Sequence, residues 1–437
     1  MVAVRALAFP IDLAGLDTTR TAIWIHDLRW GLDLVNANID RSLIPASVMK
    51  SVTSASLLNL ADPMERFSTP VTAIGRINDG VLEGDIVIRA NGDPTIDSQF
   101  FPDNKGFCDS ILAGVRRLGI SRVTGSVVVD ESDFKDATTP PGWQAEDIPW
   151  PYGARLQGAN FCDNRFRLSL PSKTSVPHVP DLKFSITRTR GRSAKVDRKD
   201  GSETFLVTGN TRRAFSDNFA MPYPRKAMRY AVTETLRAAG IEVGDTPSGR
   251  TGESTMIYDH LSPPFGEILR SLMHRSDNLM AEGMLRAIAP GGTRADAIRE
   301  EHAVWTMAGV SPHGVNIIDG SGLSRDNRLT ARFLGEINRH MTADEYGDDY
   351  ISLFPRAGYD GTMRNFLLDT PLEGNVVLKT GSMKGVQSYS GYLLDDHGHP
   401  THIIVFVANG FRCSRAALKN AFQRLLLDTF CVSLQND

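Results

Sequence analysis

The sequence predicts an α+β domain that is built from both ends of the chain and interrupted by a β-rich insertion. Helical periodicity occurs toward both ends, whereas residues 70–215 carry short alternating runs separated by Gly, Pro, Asn and Asp. The length of 437 residues allows about three domains of about 150 residues each. An interrupted core domain therefore fits both the pattern and the length.

The first helix is expected directly after Pro45. Val48, Val52 and Ala55 recur at helical spacing, so the helix should begin near Ser47. Further helices are expected at 226–239, 264–273, 279–288 and 416–429. Strands are expected at 86–89, 127–129, 376–380, 386–394 and 402–408.

A β-hairpin is predicted within the insertion. Alternating runs at 184–190 and 204–207 flank Asp200-Gly201, a dipeptide typical of tight turns. A solvated strand face explains the many basic residues here better than an anionic partner does. These residues are Lys183, Arg188, Arg190, Arg192, Lys195, Arg198 and Lys199.

The composition argues against several classes of function. With 48 basic and 51 acidic residues the net charge is −3, and 41% of the residues are hydrophobic. This profile is that of an ordinary globular protein, and it does not favour nucleic-acid binding or a membrane-surface helix as the main function. No apolar run approaches the roughly 18 residues that a membrane span needs.

The first fifteen residues lack the apolar core of a secretory signal, because Arg5, Pro10 and Asp12 interrupt them. We therefore expect either a cytosolic protein or one whose leader peptide has been removed. The cysteines are far apart and form no C-x-x-C pair, which argues against a metal knuckle or a thioredoxin-type site. They are Cys108, Cys162, Cys413 and Cys431.

Ser47 and Lys50 form an S-x-x-K sequence at the start of the first predicted helix. This spacing puts the hydroxyl and the amine on one helix face, about 5–6 Å apart at Cβ. A serine hydroxyl needs an adjacent base to become a nucleophile, and a lysine can be that base only where its surroundings keep it neutral. Ser132 and Lys135 share the same spacing, so the motif alone is nearly uninformative.

Ser276-Asp277-Asn278 is a second candidate motif, because it lies between two predicted helices and opens an amphipathic run. A similar sequence at 216–218 precedes a proline-broken stretch and is less suited to present a hydroxyl. The sequence context therefore favours Ser276.

The third candidate motif, Lys379-Thr380-Gly381-Ser382, occurs once and ends an apolar run, so it is expected on a strand. Gly381 permits another group to approach the backbone closely. The neighbouring Lys, Thr and Ser side chains can bind a substrate carboxylate through charge-assisted hydrogen bonds. Taken alone, an edge strand protected by a lysine would explain the same residues.

In the order S-x-x-K, S-D-N, K-T-G, the motifs resemble the set found in penicillin-binding proteins and class A β-lactamases. Further segments resemble the low-molecular-mass class C penicillin-binding proteins, a family of D-alanyl-D-alanine carboxypeptidases and endopeptidases. These segments are 45–47, 84–88, 92–95, 276–282, 319–325 and 358–362. The 225 residues between Lys50 and Ser276 also resemble this family, and are far longer than the segment expected in a class A β-lactamase.

The resemblance implies a transpeptidase-like domain, an antiparallel sheet covered by helices, with two smaller domains inserted after the S-x-x-K helix. We expect the catalytic domain to comprise residues 1–62 and 255–437. The β-rich insertion is then expected to comprise residues 63–254.

The resemblance also implies roles for the motif residues. Ser47 would be the acylated nucleophile and Lys50 its general base. Ser276 would relay a proton to the leaving D-alanine amine. Asn278 would hold the substrate amide and keep Lys50 oriented.

The strand motif would bind the substrate, by the same resemblance. The terminal carboxylate would be received by Lys379, Thr380, Gly381 and Ser382. The backbone N–H groups of Ser47 and Ser382 would form an oxyanion hole.

A side-chain pocket for the substrate is implied less directly. The family has a Trp, an acidic residue and a Tyr in an insertion loop, and Trp143, Asp147 and Tyr152 look similar. Glu146 and Trp150 are rival candidates within the same loop. Leu323, Arg325 and Met383 resemble other residues that line the pocket. Lys384 departs from the small residue expected at its position.

The resemblance implies a serine peptidase that hydrolyses D-Ala-D-Ala termini of peptidoglycan stem peptides and, as an endopeptidase, D-Ala cross-links. It implies acylation by β-lactams, no cofactor, no metal and an extracytoplasmic location. A homo-oligomer is left open. The alternatives are a β-lactamase-like hydrolase and an inactive peptidoglycan-binding protein with the same fold.

A metal hydrolase is a further alternative, suggested by Asp395, Asp396, His397, His399 and His402. These residues lack the helical i, i+4 spacing of a zinc motif and lie where a strand turn is expected. A polar turn is therefore the better interpretation.

Overall fold

The computed structural model describes residues 9–136, 139–190, 194–198, 202, 204–210, 215–249 and 251–431. In this part of the chain the α-helices are α1 (Met49–Leu60), α2 (Phe107–Arg117), α3 (Pro224–Ala238), α4 (Phe265–Arg275), α5 (Asn278–Ala287), α6 (Arg294–Met307), α7 (Ala331–Met341), α8 (Gly347–Ser352) and α9 (Arg415–Cys431). The strands are β1 (Thr21–Asp27), β2 (Leu32–Ala37), β3 (Ser68–Asn78), β4 (Val81–Arg89), β5 (Arg122–Val123), β6 (Val127–Asp130), β7 (Arg165–Leu170), β8 (Thr174–Val176), β9 (Lys183–Arg188), β10 (Ala194–Arg198), β11 (Thr204–Gly209), β12 (Phe215–Ala220), β13 (Glu242–Val243), β14 (Ser254–Leu261), β15 (Val376–Met383), β16 (Val386–Leu394) and β17 (Pro400–Asn409).

A five-stranded antiparallel sheet joins the two ends of the chain, in the order β15-β16-β17-β1-β2. Successive residues of a strand point to opposite faces. Ala22 and Trp24 therefore pack against the helices α1 and α4 to α8 on one face, whereas Ile23 and Ile25 pack toward α9 on the other. Helices thus cover both faces of the sheet, and the predicted α+β class is confirmed.

Helix α1 lies at the centre of the helical layer. Its residues 49–58 are all buried, and the three serines and one alanine among them let neighbouring helices approach closely. A helix that is buried on all sides has no strong amphipathic pattern. One turn of 3₁₀ helix, Ala46–Val48, precedes it and positions Ser47 at the edge of the core.

The insertion is β-rich, as predicted. It contains a six-stranded sheet with the path β13-β5-β4-β3-β14, in which β6 also pairs with β4, and two three-stranded sheets, β10-β11-β9 and β12-β7-β8. Helices α2 and α3 share an apolar core with these strands. None of the helices in the described ranges is long and apolar enough to cross a membrane.

The predicted hairpin between 184–190 and 204–207 is wrong. Strand β11 pairs in parallel with β9, and its antiparallel neighbour is β10. The alternation of β10 is weak because Val196 is flanked by charged residues, so the periodicity did not reveal this strand. The Asp200-Gly201 turn lies outside the described residues.

Strand β14 bears on the predicted division into domains. It pairs with β3 along its length, so the six-stranded sheet extends to Leu261. The predicted boundary at residue 254 falls where this strand begins. We propose that the chain returns to the catalytic domain after Leu261; the division itself stays a prediction.

Candidate active site

Ser47 and Lys50 lie where the 3₁₀ turn leads into α1. The Lys50 Nζ is 3.2 Å from the Ser47 Oγ, and it donates hydrogen bonds of 2.6 Å each to the Asn278 Oδ1 and the Ser321 carbonyl. Lys50 is fully buried. Its amine is therefore held by fixed acceptors, with the Ser47 hydroxyl within reach.

Burial controls the protonation of this amine. Removal from water disfavours the ammonium form and lowers the pKa of Lys50 to about 8, although the negative charges of Asp319, Asp277 and Glu282 act in the opposite direction. At pH 7 about a tenth of the molecules then carry a neutral amine. A neutral amine beside a serine hydroxyl can take its proton.

Ser276 lies at the junction of α4 and α5. It ends α4 with a φ of +59°, a left-handed conformation that is uncommon for a residue other than glycine. Its Oγ accepts a 3.0 Å hydrogen bond from the Lys379 Nζ. Asp277 caps α5 by accepting from the Met280 N–H at 3.1 Å, so Asn278 begins that helix and faces Lys50.

Lys379 is a second buried amine. Burial and the nearby positive charge of Lys50 lower its pKa well below the usual value. It donates to the carbonyl of Thr380 at 2.7 Å as well as to Ser276. In the free site, within the described residues, the ammonium form of Lys379 has no negative charge to stabilise it. A bound substrate carboxylate would supply that charge.

Strand β15 is the edge of the five-stranded sheet. The Leu378 N–H bonds to the Pro355 carbonyl, away from β16. Because backbone groups alternate in direction with period two, the N–H groups of Thr380 and Ser382 face the same open edge. They are available to a ligand that lies along the strand.

Gly381 brings β15 against the turn that holds Ser47. A Cβ at this position would lie 2.9 Å from the Ser47 nitrogen and 2.8 Å from the Pro45 carbonyl oxygen. The Ser388 hydroxyl donates to the same carbonyl at 2.5 Å. A glycine is therefore required for the close approach of strand and nucleophile.

A loop of the insertion reaches this site. The Tyr152 carbonyl accepts a 2.8 Å hydrogen bond from the Asn278 Nδ2, and the half-exposed Tyr152 side chain donates to Asp147 at 3.0 Å. Burial and this carboxylate raise the pKa of Tyr152 to about 12. Asp147 and Tyr152 thus form a polar pair beside Asn278.

Trp143, unlike Tyr152, is not exposed. Its ring is buried, and its indole N–H donates to the Asp319 Oδ2 at 2.7 Å. The rival Trp150 stacks on Phe219, with ring centroids 5.5 Å apart, and Glu146 is exposed. Of the loop's two tryptophans, Trp143 is the one linked to the 319–325 segment.

The remaining predicted residues line the neighbourhood of the strand motif. Arg325 donates to the Lys384 carbonyl at 3.3 Å, which places it beside the partly buried Met383. The hydroxyl of Ser382 donates to Gln387 at 2.7 Å. Leu323 is half-buried in the same loop as Arg325, and Thr380 donates to the Thr362 hydroxyl at 2.8 Å.

The sequence did not single out three charged residues of this region. Asp319 and Glu282 are buried close to Lys50, and Arg165 donates to Asp277 at 3.0 Å. Both acids begin or end segments, 319–325 and 276–282, that carry the family resemblance, which is the signal that could have drawn attention to them. Arg165 has no such signal.

The rival motifs lie elsewhere. Ser132 and Lys135 are exposed in a loop of the insertion, and residues 216–218 are exposed on strand β12. The Asp395 carboxylate accepts the backbone N–H groups of His397 and His399, so these two histidines belong to the turn between β16 and β17, whereas His402 lies on β17. Across the described ranges, no group of three or more His, Cys, Asp or Glu side chains is arranged to hold a metal ion.

Comparison with known proteins extends these observations. The sequence is 25% identical over 421 residues to D-alanyl-D-alanine carboxypeptidase DacB of Haemophilus influenzae. The aligned region covers 90% of this chain and 86% of that protein. It is 27% identical over 427 residues to the D-alanyl-D-alanine carboxypeptidase of Actinomadura sp., covering 89% of this chain and 78% of that one.

The fold is similar to the crystal structure of penicillin binding protein 4 (dacB) from Haemophilus influenzae. The TM-score is 0.82 at 24% identity, over 98% of this chain and 99% of that chain. The same protein complexed with a β-lactam gives a TM-score of 0.77 at 23% identity, over 98% of this chain and 99% of that chain. These likenesses confirm the architecture.

The match to a protein family covers residues 8–427, nearly the whole chain. The predicted resemblance to the low-molecular-mass class C penicillin-binding proteins is thereby confirmed, as is the predicted enzyme class, a serine-type D-Ala-D-Ala carboxypeptidase. The chain belongs to the D-Ala-D-Ala carboxypeptidase 3 (S13) family.

Proposed function

We propose that this protein hydrolyses the D-Ala-D-Ala termini of peptidoglycan stem peptides through an acyl-enzyme on Ser47. One observation carries the proposal most directly. Lys50 is a buried amine with a pKa of about 8 whose Nζ lies 3.2 Å from the Ser47 Oγ. That arrangement supplies a nucleophile and its base without any further group.

In the acylation step, the Ser47 Oγ attacks the carbonyl carbon of the penultimate D-alanine and Lys50 takes the hydroxyl proton. The N–H groups of Ser47 and Ser382 stabilise the negative charge that develops on the carbonyl oxygen. The peptide C–N bond then breaks, and Ser276 passes a proton to the leaving amine. Lys50 returns the proton taken from Ser47 to Ser276, so that proton in effect ends on the leaving amine and Lys50 is again neutral for the hydrolysis of the ester. Lys379 holds the Ser276 hydroxyl in place by donating to its Oγ at 3.0 Å.

Asn278 and the strand motif would hold the substrate. Asn278 accepts from Lys50 through its Oδ1 and donates to the Tyr152 carbonyl through its Nδ2, so it orients the base. The second N–H of the same Nδ2 would contact the substrate backbone. The terminal carboxylate would lie along β15 at Lys379, Thr380 and Ser382. Water then hydrolyses the ester and restores the free Ser47.

The same acyl-enzyme serves an endopeptidase reaction, because only the leaving amine differs. A cross-linked peptide releases the side-chain amine of its partner stem in place of D-alanine. The exposed Tyr152 and its partner Asp147 leave a polar group at the entrance, which suits the free amine of a diamino acid. We propose endopeptidase cleavage as a second activity of this site.

We also propose acylation by β-lactams, because their strained amide mimics the scissile bond. The relative penicillin binding protein 4 of Haemophilus influenzae has been crystallised with a β-lactam. Since peptidoglycan lies outside the cytoplasm, the proposal places the protein in an extracytoplasmic compartment.

The test is intact-protein mass spectrometry over time with benzylpenicillin on wild type, Ser47→Ala and Ser132→Ala. Ser132 is a matched control because it also begins an S-x-x-K sequence, in an exposed loop. We expect a lasting adduct that requires Ser47 and does not require Ser132, and release of D-alanine from purified muropeptides. Rapid drug hydrolysis without a lasting adduct would indicate a β-lactamase, and neither adduct nor hydrolysis would indicate an inactive binding protein.

A further inference from the structure

Asp319 is a buried carboxylate that no step of the proposed reaction uses. It is fully buried, and its two oxygens accept four hydrogen bonds. The Gly322 N–H at 2.8 Å and the Asn327 Nδ2 at 2.7 Å reach Oδ1. The Trp143 indole and the Ser324 N–H, both at 2.7 Å, reach Oδ2.

A single peptide unit connects this carboxylate to the amine of Lys50. The N–H of Gly322 donates to Asp319, and the carbonyl at the other end of the same unit, that of Ser321, accepts from the Lys50 Nζ at 2.6 Å. A negative charge at the N–H end polarises the amide and makes its carbonyl oxygen a better acceptor. Asp319 therefore acts on Lys50 by hydrogen bonding and by charge.

The position of this peptide unit is restricted. Gly322 has a φ of +78°, and a Cβ on it would overlap the carbonyl of Ala46, in the turn that holds Ser47. The loop therefore packs directly on the turn that holds Ser47. On its other side, Asp319 accepts the N–H groups of Gly322 and Ser324, so the hydrogen bond between Ser321 and Lys50 has little freedom.

Trp143 joins the insertion to the same carboxylate. The two residues are 176 positions apart in the sequence, and the indole contact is the bond by which the loop at 142–153 reaches Asp319. A shift of this loop would change the bonding of Asp319 and, through one peptide unit, the acceptor of Lys50. The loop already contacts Asn278 through Tyr152, so it touches two groups that hold the amine.

We propose that Asp319 is a positioning residue for Lys50, which holds the Ser321 carbonyl against the amine and ties that contact to the inserted loop through Trp143. The inference rests on the proposed function, in which Lys50 is the base. A residue that only supported the fold would not change how acylation depends on pH, and this difference makes the role testable.

Several charged groups surround Lys50, and the test has to separate them. They are Asp319, Asp277, Glu282 and Lys379. Glu282 has a pKa raised to about 7 by burial, so it titrates in the same range as the amine. Acylation is therefore measured both in the wild-type background and in a Glu282→Gln background.

The experiment measures the rate of acylation of Ser47 by benzylpenicillin between pH 6 and 10 in Asp319→Asn. We expect the plateau rate of acylation to fall at least about tenfold. The reason is that the Gly322 N–H would then donate to a neutral amide in place of a charged carboxylate. The acid limb should move to lower pH in both backgrounds, because the charge that favours the Lys50 ammonium is gone. Asp326→Asn, an exposed residue of the same loop, should keep the wild-type profile.

Trp143→Phe tests the link to the insertion and guards against a folding artefact. An asparagine at 319 would turn its NH₂ group toward two N–H donors in either orientation, so two of the four hydrogen bonds are lost together with the charge. Trp143→Phe removes one of these bonds and keeps the charge, which separates loss of packing from loss of charge. Trp143→Phe alone should leave the acid limb in place because the charge remains.

The outcomes separate the two proposals. If wild-type Ser47 is not acylated, the proposed function fails. If wild type is acylated but Asp319→Asn keeps the wild-type acid limb in both backgrounds, or Trp143→Phe alone moves that limb, the role of Asp319 is refuted while the proposed function stands.

Discussion

The rate at which benzylpenicillin acylates Ser47 is expected to depend on pH through Lys50. Only the neutral amine can take the proton of the serine hydroxyl, so the rate follows the neutral fraction. With a pKa of about 8, in place of the ordinary 10.5, this fraction at pH 7 is about a tenth, against about 0.03% for an unperturbed lysine. Burial therefore accounts for roughly 300-fold in rate at neutral pH.

The sign and shape of the profile follow from this pKa. Below pH 8 the rate should rise about tenfold for each pH unit, and above it the rate should level off. Rapid-quench mass spectrometry from pH 6 to 10 measures the adduct directly, with Ser47→Ala as the baseline. Lys50→Arg should reduce the rate to that baseline, because a guanidinium stays charged throughout this range.

Two results would refute this reasoning. A rate that is flat between pH 6 and 9 would show that no group with a pKa near 8 limits acylation. A rate that still climbs at pH 10 would show that burial does not depress the pKa of Lys50, and the base would then have to be sought elsewhere.

Three other substitutions give further tests. Gly381→Ala should slow acylation about 10- to 100-fold, because the added Cβ would push β15 away from Ser47. The control is Gly266→Ala in α4, whose added Cβ would meet its neighbours at ordinary distances of 3.4 Å or more. Equal acylation rates in the two variants would contradict the argument. Burial raises the pKa of Glu301 from 4.5 to about 8, so its contribution to stability is full below pH 4.5 and is lost as the pH rises to 8. Relative to wild type, Glu301→Gln should gain about 3 kcal/mol in free energy of unfolding at pH 7 compared with pH 4. Urea unfolding that gives the same difference between variant and wild type at both pH values would exclude this cause. Arg165→Ala breaks a partly buried ion pair with Asp277 and should lower the free energy of unfolding by about 1–2 kcal/mol. Arg225→Ala, which breaks a more exposed ion pair with Glu131, should cost less. Thermal unfolding that ranks the two variants the other way would count against the role of the Arg165 contact.

The sequence predicted those parts of the fold whose local pattern agrees with their tertiary role. Helix α9 and strands β15, β16 and β17 were placed within a few residues of their ends. For the strands the reason is that residues typical of tight turns, Lys384-Gly385 and Asp395 to Gly398, separate the three runs. The order of the three motifs also led to Ser47, Lys50, Ser276, Asn278 and Lys379, which the structure brings together through hydrogen bonds; their roles stay predictions.

Strand β1 was missed for a physical reason. It lies inside the sheet between β17 and β2, and its first five residues are buried on both faces. Such a strand is a continuous apolar run without alternation, and a run of that kind is also typical of a buried helix segment. The left-handed conformation of Ser276 could not be predicted either, because it arises where two helices meet at an angle that only tertiary packing fixes.

The links between the insertion and the site were equally hidden, and they argue that the two parts act together. Tyr152 bonds to Asn278, Arg165 to Asp277 and Trp143 to Asp319, over sequence separations of 126, 112 and 176 residues. Each partner either bonds to Lys50 or caps or braces the segment that does. Removal of the insertion would leave buried polar groups of the site unpaired, and each such group costs about 1–3 kcal/mol. A catalytic domain without its insertion is therefore expected to lose the geometry of Lys50 as well as the loop that covers it.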